Sequence, residues 1–295
     1  MNGILIFNKP KGISSHDVVY ILRKKMKIKK IGHTGTLDPI ATGVLIMCIG
    51  KATKISQYIM SDTKEYIAKI SFGYETATLD STSEPIKKTD YIPPINEFKN
   101  ILNSFIGNIE QIPPMYSAIK VNGQKLYELA RQGKTIELKK RKITVYNIEL
   151  LKQVDYKSYY IKIKCSSGTY IRSLIRDIGY SLNSLATMEE LTRTKSGEFT
   201  IENSISEDKF LSLDNEEIEN FIIPIDKALY KYNYYNINDN FYKKLINGVP
   251  YKTKLDFKNN ELLRIYCKNE FIGIGKYIDS FDFNGIKMEK MLMGD

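Results

Sequence analysis

Asp38 stands inside the run Gly32-His33-Thr34-Gly35-Thr36-Leu37-Asp38-Pro39-Ile40-Ala41-Thr42-Gly43, where glycines let the backbone approach a ligand closely and Pro39 stiffens the next position. A carboxylate in such a loop can serve as a covalent nucleophile. The competing reading is a turn aspartate that bonds its own backbone, and the loop's composition alone leaves both open.

Other chemistries lack their parts. Gly50-Lys51 invites comparison with a phosphate-binding loop, but Leu45 stands where that loop needs glycine and Ala52 where it needs Ser or Thr. His16 and His33 are the only histidines, and no clustered cysteines or paired acids accompany them, so a hydrolytic metal site and a serine triad have no basis. Cys48, Cys165 and Cys267 are far apart and odd in number, which indicates neither a disulfide framework nor zinc and fits a reducing compartment. Elimination favours a reaction without metal.

The elements that must position this loop can be read from spacing. Ile4 to Phe7 reads as a strand ended by the Pro10 and Gly12 turn, and Ser14 and Asp17 have the spacing of a capping box. The helix that follows carries Val18, Ile21, Leu22 and Met26 on one face, with Arg23, Lys24, Lys25 and Lys27 outside it; that basic run can be a solvated face. Beyond the glycine-rich loop, Val44 to Ile49 reads as a buried strand and Lys51 to Met60 as a helix. Tyr66, Ala68, Ile70 and Phe72 alternate with polar neighbours, as do Tyr159, Ile161, Ile163 and Cys165, which is strand periodicity. Ser167-Gly168 leads into a helix with the apolar stripe Ile171, Leu174, Ile175, Ile178 and Leu182, flanked by Arg172 and Arg176 where they can border a cleft. Residues 111–141 mix Pro-Pro, Asn-Gly and a basic end and read as a mobile flap.

Composition bounds the function. The 295 residues are 42% hydrophobic and 26% charged, in the range of ordinary globular chains. Lys and Arg outnumber Asp and Glu by 44 to 34, a formal charge of +10 that favours polyanionic partners through counterion release. The longest apolar runs fall far short of a membrane span, so a soluble, cytoplasmic chain is expected. After about residue 230 the composition shifts to Tyr, Asn and Lys, with strands at Leu262 to Cys267 and Phe271 to Tyr277. The expected fold class is α+β, a mixed or antiparallel sheet flanked by helices over residues 1–230, with a small C-terminal β module over 231–295.

Taken in order, Asn8-Lys9-Pro10, the Gly32 to Gly43 loop, Lys64-Glu65-Tyr66, Gln111 to Arg131, Ser167 to Arg172 and Leu191-Thr192-Arg193 resemble the motifs of TruB-type pseudouridine synthases. The resemblance spans about residues 4 to 197 and implies a reaction that needs neither metal nor organic cofactor. It implies that Asp38 is the catalytic carboxylate, either attacking the nucleoside or assisting glycosidic cleavage through a glycal, and that Arg172 is the cation keeping it ionised. It also implies that Tyr66 stacks on the target base, with removal of the C5 proton as a further role; by alternation alone Tyr66 would be a core residue. His33, Tyr170 and Leu191 would line the pocket of the flipped nucleotide, supported by Lys9 and Pro10. The C-terminal module would be PUA-like, with a structural cap as the plainer reading.

The flap sequence NGQKLYELARQGK, absent from the family's RNA-guided members, points to a stand-alone, monomeric enzyme that grips the T-arm stem-loop of tRNA and converts uridine 55. Two rivals remain: an RNA chaperone that refolds tRNA, and a synthase acting on another RNA.

Overall fold

The computed structural model describes residues 1–60, 63–121, 123–134 and 136–293; Asn122 and Thr135 of the expected flap lie outside the described residues. The described residues form a ten-stranded mixed sheet with helices packed on it and a separate five-stranded sheet at the C-terminus, an α+β architecture as expected.

The elements that matter here are strand β1 (Gly3–Lys9), helix α1 (Ser15–Met26), β2 (Ile31–His33), β3 (Thr42–Ile49), β4 (Thr63–Phe72), α2 (Ile95–Ser104), β5 (Gly107–Gln111), β6 (Arg141–Gln153), β7 (Ser158–Ser166), α3 (Ile171–Ser181) and β8 (Ala186–Ser196). The large sheet runs Ile205–Ser206, β1, β3, β8, β4, β7, β6, β5, with β2 added alongside β3. Its pairs are antiparallel except at Ile205–Ser206 with β1 and at β3 with β8.

Strand composition follows from what covers each face. In β1 and β3, Leu5, Phe7, Leu45 and Met47 enter the main core while Ile4, Ile6, Val44 and Ile46 enter a second core on the opposite face. Both faces being dry, these strands are continuously apolar. In β4 and β7 only one face is covered, so Ala68, Ile70, Ile161 and Ile163 alternate with half-buried Lys69 and Lys162. Helix α1 is capped as its sequence predicts: Ser14 Oγ accepts from the Asp17 amide, and Asp17 accepts from the Ser14 amide.

Two expectations need adjustment. The helix read over Lys51 to Met60 is a 3-10 turn, Gly50–Ile55, followed by one α-turn, Ser56–Ile59. Arg172 does not sit on an open flank of α3; it is buried, 5% exposed, with its guanidinium inside the molecule. The flap segment carries the short strands Lys120–Val121 and Gln124–Lys125 and a helix, Leu126–Arg131.

The C-terminal sheet pairs Asn233–Asn236, Leu262–Cys267, Glu270–Asp279, Asn284–Met291 and Tyr251–Lys252 in that order. It has its own core around Leu263, Ile265 and Tyr277. Ile274 and Leu292 also join the second core beneath β1 and β3, so this sheet covers the back of the strands that carry Lys9 and Gly43.

Candidate active site

Asp38 is held in place by its neighbours in the chain. Ser15 Oγ, at the start of α1, accepts from the Leu37 amide at 2.8 Å and donates to the Leu37 carbonyl at 3.2 Å. On the other side, the Pro39 carbonyl accepts from the Gly12 amide at 2.8 Å and from Lys9 Nζ at 3.3 Å. The Asp38 carbonyl itself closes a turn by accepting from the Ala41 amide at 3.0 Å. Pinned on both sides, the carboxylate reaches its position with little freedom left to lose on binding.

Its partner comes from the N-terminal turn of α3. Arg172 Nη2 donates to Asp38 Oδ1 at 3.0 Å, and Nε lies 2.9 Å from Oδ2, an ion pair off the line of an ideal hydrogen bond. The same guanidinium donates from Nη1 to the Thr78 carbonyl and from Nη2 to the Tyr116 carbonyl, both at 2.9 Å. Asp80 Oδ2 stands 3.5 Å from Nη1. Asp80 is itself buried and fixed by Thr78 Oγ1, the Thr82 amide and Thr82 Oγ1. One arginine therefore bridges two carboxylates and the entrance of the flap segment.

Burial raises the Asp38 carboxyl above the ordinary aspartate value; Arg172 opposes that rise and Asp80 adds to it. Burial likewise lowers the Lys9 ammonium to about 8, against the pull of Asp38. Lys9 is fully buried and donates to the carbonyls of Pro10 at 2.8 Å and Ile13 at 2.7 Å as well as to Pro39, so it fastens the β1–α1 turn to the loop.

A second guanidinium supports the loop from the other direction. Arg193, buried on β8, donates to the carbonyls of Val44 at 2.7 Å, Gly35 at 3.2 Å and Thr36 at 3.5 Å. Gly43 makes this approach possible: it pairs with Arg193 across the parallel β3–β8 ladder at φ +101°, and a Cβ there would fall on the Arg193 carbonyl oxygen. Tyr66 lies opposite Arg193 on β4 and is buried with Ala68 and Ile70. Burial raises its phenol, with Arg193 acting in the opposite direction and Asp38 in the same one.

The remaining expected residues gather around this centre less tightly. His33 ends β2 with a buried Nδ1 that has no hydrogen-bond partner among the described residues, and burial lowers its ring below the usual histidine value. Leu191 is buried on β8 opposite Ala68. Tyr170 caps α3, and buried Gln111 at the end of β5 clamps its backbone: the Tyr170 amide donates to Oε1 at 2.8 Å and Nε2 donates to the Tyr170 carbonyl at 3.1 Å. Asp80, Arg193 and Gln111 carry no role in the sequence reading. Gln111 and Arg193 do fall within the motifs quoted from the sequence, which marks them without giving a role, since the role depends on which carbonyls and amides the fold brings to them. Among the described residues no group of His, Cys, Asp and Glu is arranged to hold a metal ion, and no helix is long and apolar enough to cross a membrane.

Comparison with known proteins places this geometry. Residues 23–171 match the family model of the TruB pseudouridylate synthase N-terminal domain, and residues 172–230 that of the tRNA pseudouridylate synthase B C-terminal domain. The chain is 48% identical to tRNA pseudouridine synthase B of Clostridium tetani, covering 99% of this chain and all of the relative. It is 40% identical to the protein of the same name from Clostridioides difficile, again over 99% of this chain. Among solved structures, a Cbf5-Nop10-Gar1 complex matches at a TM-score of 0.72 and 27% identity, over 99% of this chain and 85% of the other. An H/ACA RNP bound to a substrate RNA containing 2'-deoxyuridine matches at 0.73 and 25%.

Proposed function

The chain belongs to the TruB family of pseudouridine synthases, and from that premise we propose that it converts uridine 55 in the T-arm loop of tRNA to pseudouridine through Asp38. The isomerisation breaks the bond from C1′ to N1 and forms one from C1′ to C5; the C5 proton leaves, and N1 gains one from solvent. Nothing is oxidised or reduced, so the carboxylate and its surroundings can supply what the reaction requires.

The observation that carries this reading is the Asp38–Arg172 pair, 2.9 to 3.0 Å apart, in a loop fastened by Ser15 and Lys9. Arg172 favours the ionised carboxylate that either attack on the nucleoside or assistance to glycosidic cleavage needs. Tyr66 serves as the stacking face for the base. Its raised phenol is neutral at neutral pH, which favours stacking over proton removal as its resting contribution. His33, Tyr170 and Leu191 line the pocket of the extruded nucleotide, whose unstacking costs a few kcal/mol that pocket contacts must offset. The flap over residues 111–141 grips the T-arm, and Arg172 links it to the carboxylate through the Tyr116 carbonyl.

The domain boundary follows the same logic. Residues 1–230 act as the catalytic unit, and 231–295 cap the back of β1 and β3 through Ile274 and Leu292.

Tritium release from tRNA labelled at uridine C5 tests the proposal. The intact protein releases tritium and Asp38→Asn does not, while the variant still binds tRNA. Release by Asp38→Asn removes that residue from the chemistry. Binding without release by the intact protein leaves a tRNA chaperone or a different RNA target.

A further inference from the structure

The basic run that ends α1 has no part in the centre just described. Arg23, Lys24, Lys25, Lys27, Lys29 and Lys30 place six cations in eight residues. Two of them are structural. Arg23 donates to the Ile31 carbonyl and Lys25 to the Leu211 carbonyl, both at 2.8 Å, which fixes the elbow between α1 and β2. The other four, Lys24, Lys27, Lys29 and Lys30, are exposed, and among the described residues their side chains make no hydrogen bond or ion pair. Lys27 sits in the left-handed conformation that ends the helix, and the Lys30 carbonyl is fastened to the Gly50 amide at 2.8 Å. The backbone presenting these ammonium groups is thus rigid even where the side chains are free.

Two independent rulers place the elbow away from Asp38. Helix α1 begins at Ser15, bonded to Leu37, and its 12 residues end at Met26; at about 1.5 Å per residue it spans roughly 18 Å. Strand β3 runs from Gly43, paired with Lys9, to Ile49, paired with both Gly3 and Ile31; six steps of about 3.3 Å span roughly 20 Å. Both elements have their active-site end beside Asp38 and their other end at the basic elbow. At about 3.4 Å per stacked nucleotide, such a distance is roughly six nucleotide steps.

We propose that the α1–β2 elbow is a second RNA contact, in which Lys24, Lys27, Lys29 and Lys30 hold the phosphate backbone of the substrate outside the target stem-loop. The inference rests on the proposed tRNA substrate. Four unpaired ammonium groups on a fixed turn suit phosphates, which neutralise charge without reading sequence. Base recognition and chemistry stay with the distant loop, so the elbow contributes to affinity and docking rather than to turnover.

The test compares wild type with a variant in which all four lysines are replaced by Gln, on two substrates: full-length tRNA and a hairpin cut back to the target loop and its adjacent base pairs. For tRNA, KM rises several-fold with kcat unchanged, and the slope of log binding constant against log salt shrinks by roughly 0.7–0.9 for each phosphate no longer neutralised. For the hairpin, KM is unchanged. An unchanged slope and KM on tRNA overturns the proposal, and so does an equal loss on both substrates, which would place the elbow on the stem-loop itself. If the intact protein converts neither RNA, the proposed function fails, while the binding slopes still decide the elbow. An unchanged urea midpoint confirms that the substitutions leave the fold intact.

Discussion

Replacing Gln111 by Leu removes the clamp on Tyr170 while keeping nearly the same volume, which isolates two hydrogen bonds. The Tyr170 carbonyl keeps a partner, because the Leu174 amide also donates to it at 3.0 Å, so that loss is worth about 0.5–1.5 kcal/mol. The Tyr170 amide loses Oε1, and an unsatisfied buried donor costs about 1–3 kcal/mol. The expected destabilisation is therefore about 1.5–4.5 kcal/mol, a sizeable part of the roughly 5–15 kcal/mol that holds a domain together. Urea denaturation reads it as a midpoint lower by about 1 M at unchanged slope. The functional consequence follows from chain distance: Tyr170 precedes Arg172 by two residues, so loosening the cap of α3 loosens the guanidinium that meets Asp38 at 3.0 Å. Turnover then falls more than KM rises, because the disturbed geometry belongs to the reacting centre and not to the RNA surface. A midpoint within about 0.2 M of wild type, or unchanged kcat in a destabilised variant, would refute the view that Gln111 positions Arg172 through Tyr170.

Three further outcomes are expected. Single-turnover rates should fall as pH drops through the Asp38 value, and because burial raises that value the acid limb should lie above the ordinary aspartate range; a limb at or below that range contradicts the assignment. Gly43→Ala should lose at least about 3 kcal/mol in chemical denaturation and most of its activity, since the methyl group meets the Arg193 backbone at a positive φ. Cys48 and Cys165, pushed up to about 12 and about 11 by burial, should resist a thiol reagent at pH 8 until urea unfolds the chain, with thiolate fractions of roughly one in a thousand or less.

What could be read from the sequence divides along a physical line. Strands β4 and β7 alternate cleanly because one face is wet, and the capping box of Ser14 and Asp17 announces α1, so these elements are legible. Strands β6 and β8 are not, although β8 is central. Register shifts between Met188 and Glu190 and between Arg193 and Lys195 break its period of two, and β6 is interrupted in the same way at Val145/Asn147 and Leu150/Lys152. Asp38 and Arg172 stand out through their motifs, but their contact joins residues 134 positions apart and follows from topology alone. Asp80 sits in a Thr- and Ser-rich turn whose Ser81 and Thr82 are exposed, yet Asp80 itself is buried against Arg172.

The charges around Asp38 explain how a carboxylate can work beside a polyanion. An RNA strand entering the site brings phosphates toward Asp38 and Asp80, and in a partly dry site that repulsion is felt more strongly than in water. Arg172 offsets the two acids directly, and Arg193 stands on the far side of the loop with its guanidinium on the Gly35 and Thr36 carbonyls. Lys9, lowered to about 8, tips the balance toward positive at neutral pH and loses that contribution as pH rises through its value. A buried cation attached only to carbonyls thus serves both the loop's shape and its tolerance of phosphate. Lys9→Met separates these roles by pH: it should weaken RNA binding most at pH 7, where the ammonium is charged, and least above pH 9, where wild type has largely lost that charge. A binding deficit of equal size at both pH values would mean that Lys9 acts through the loop's shape alone.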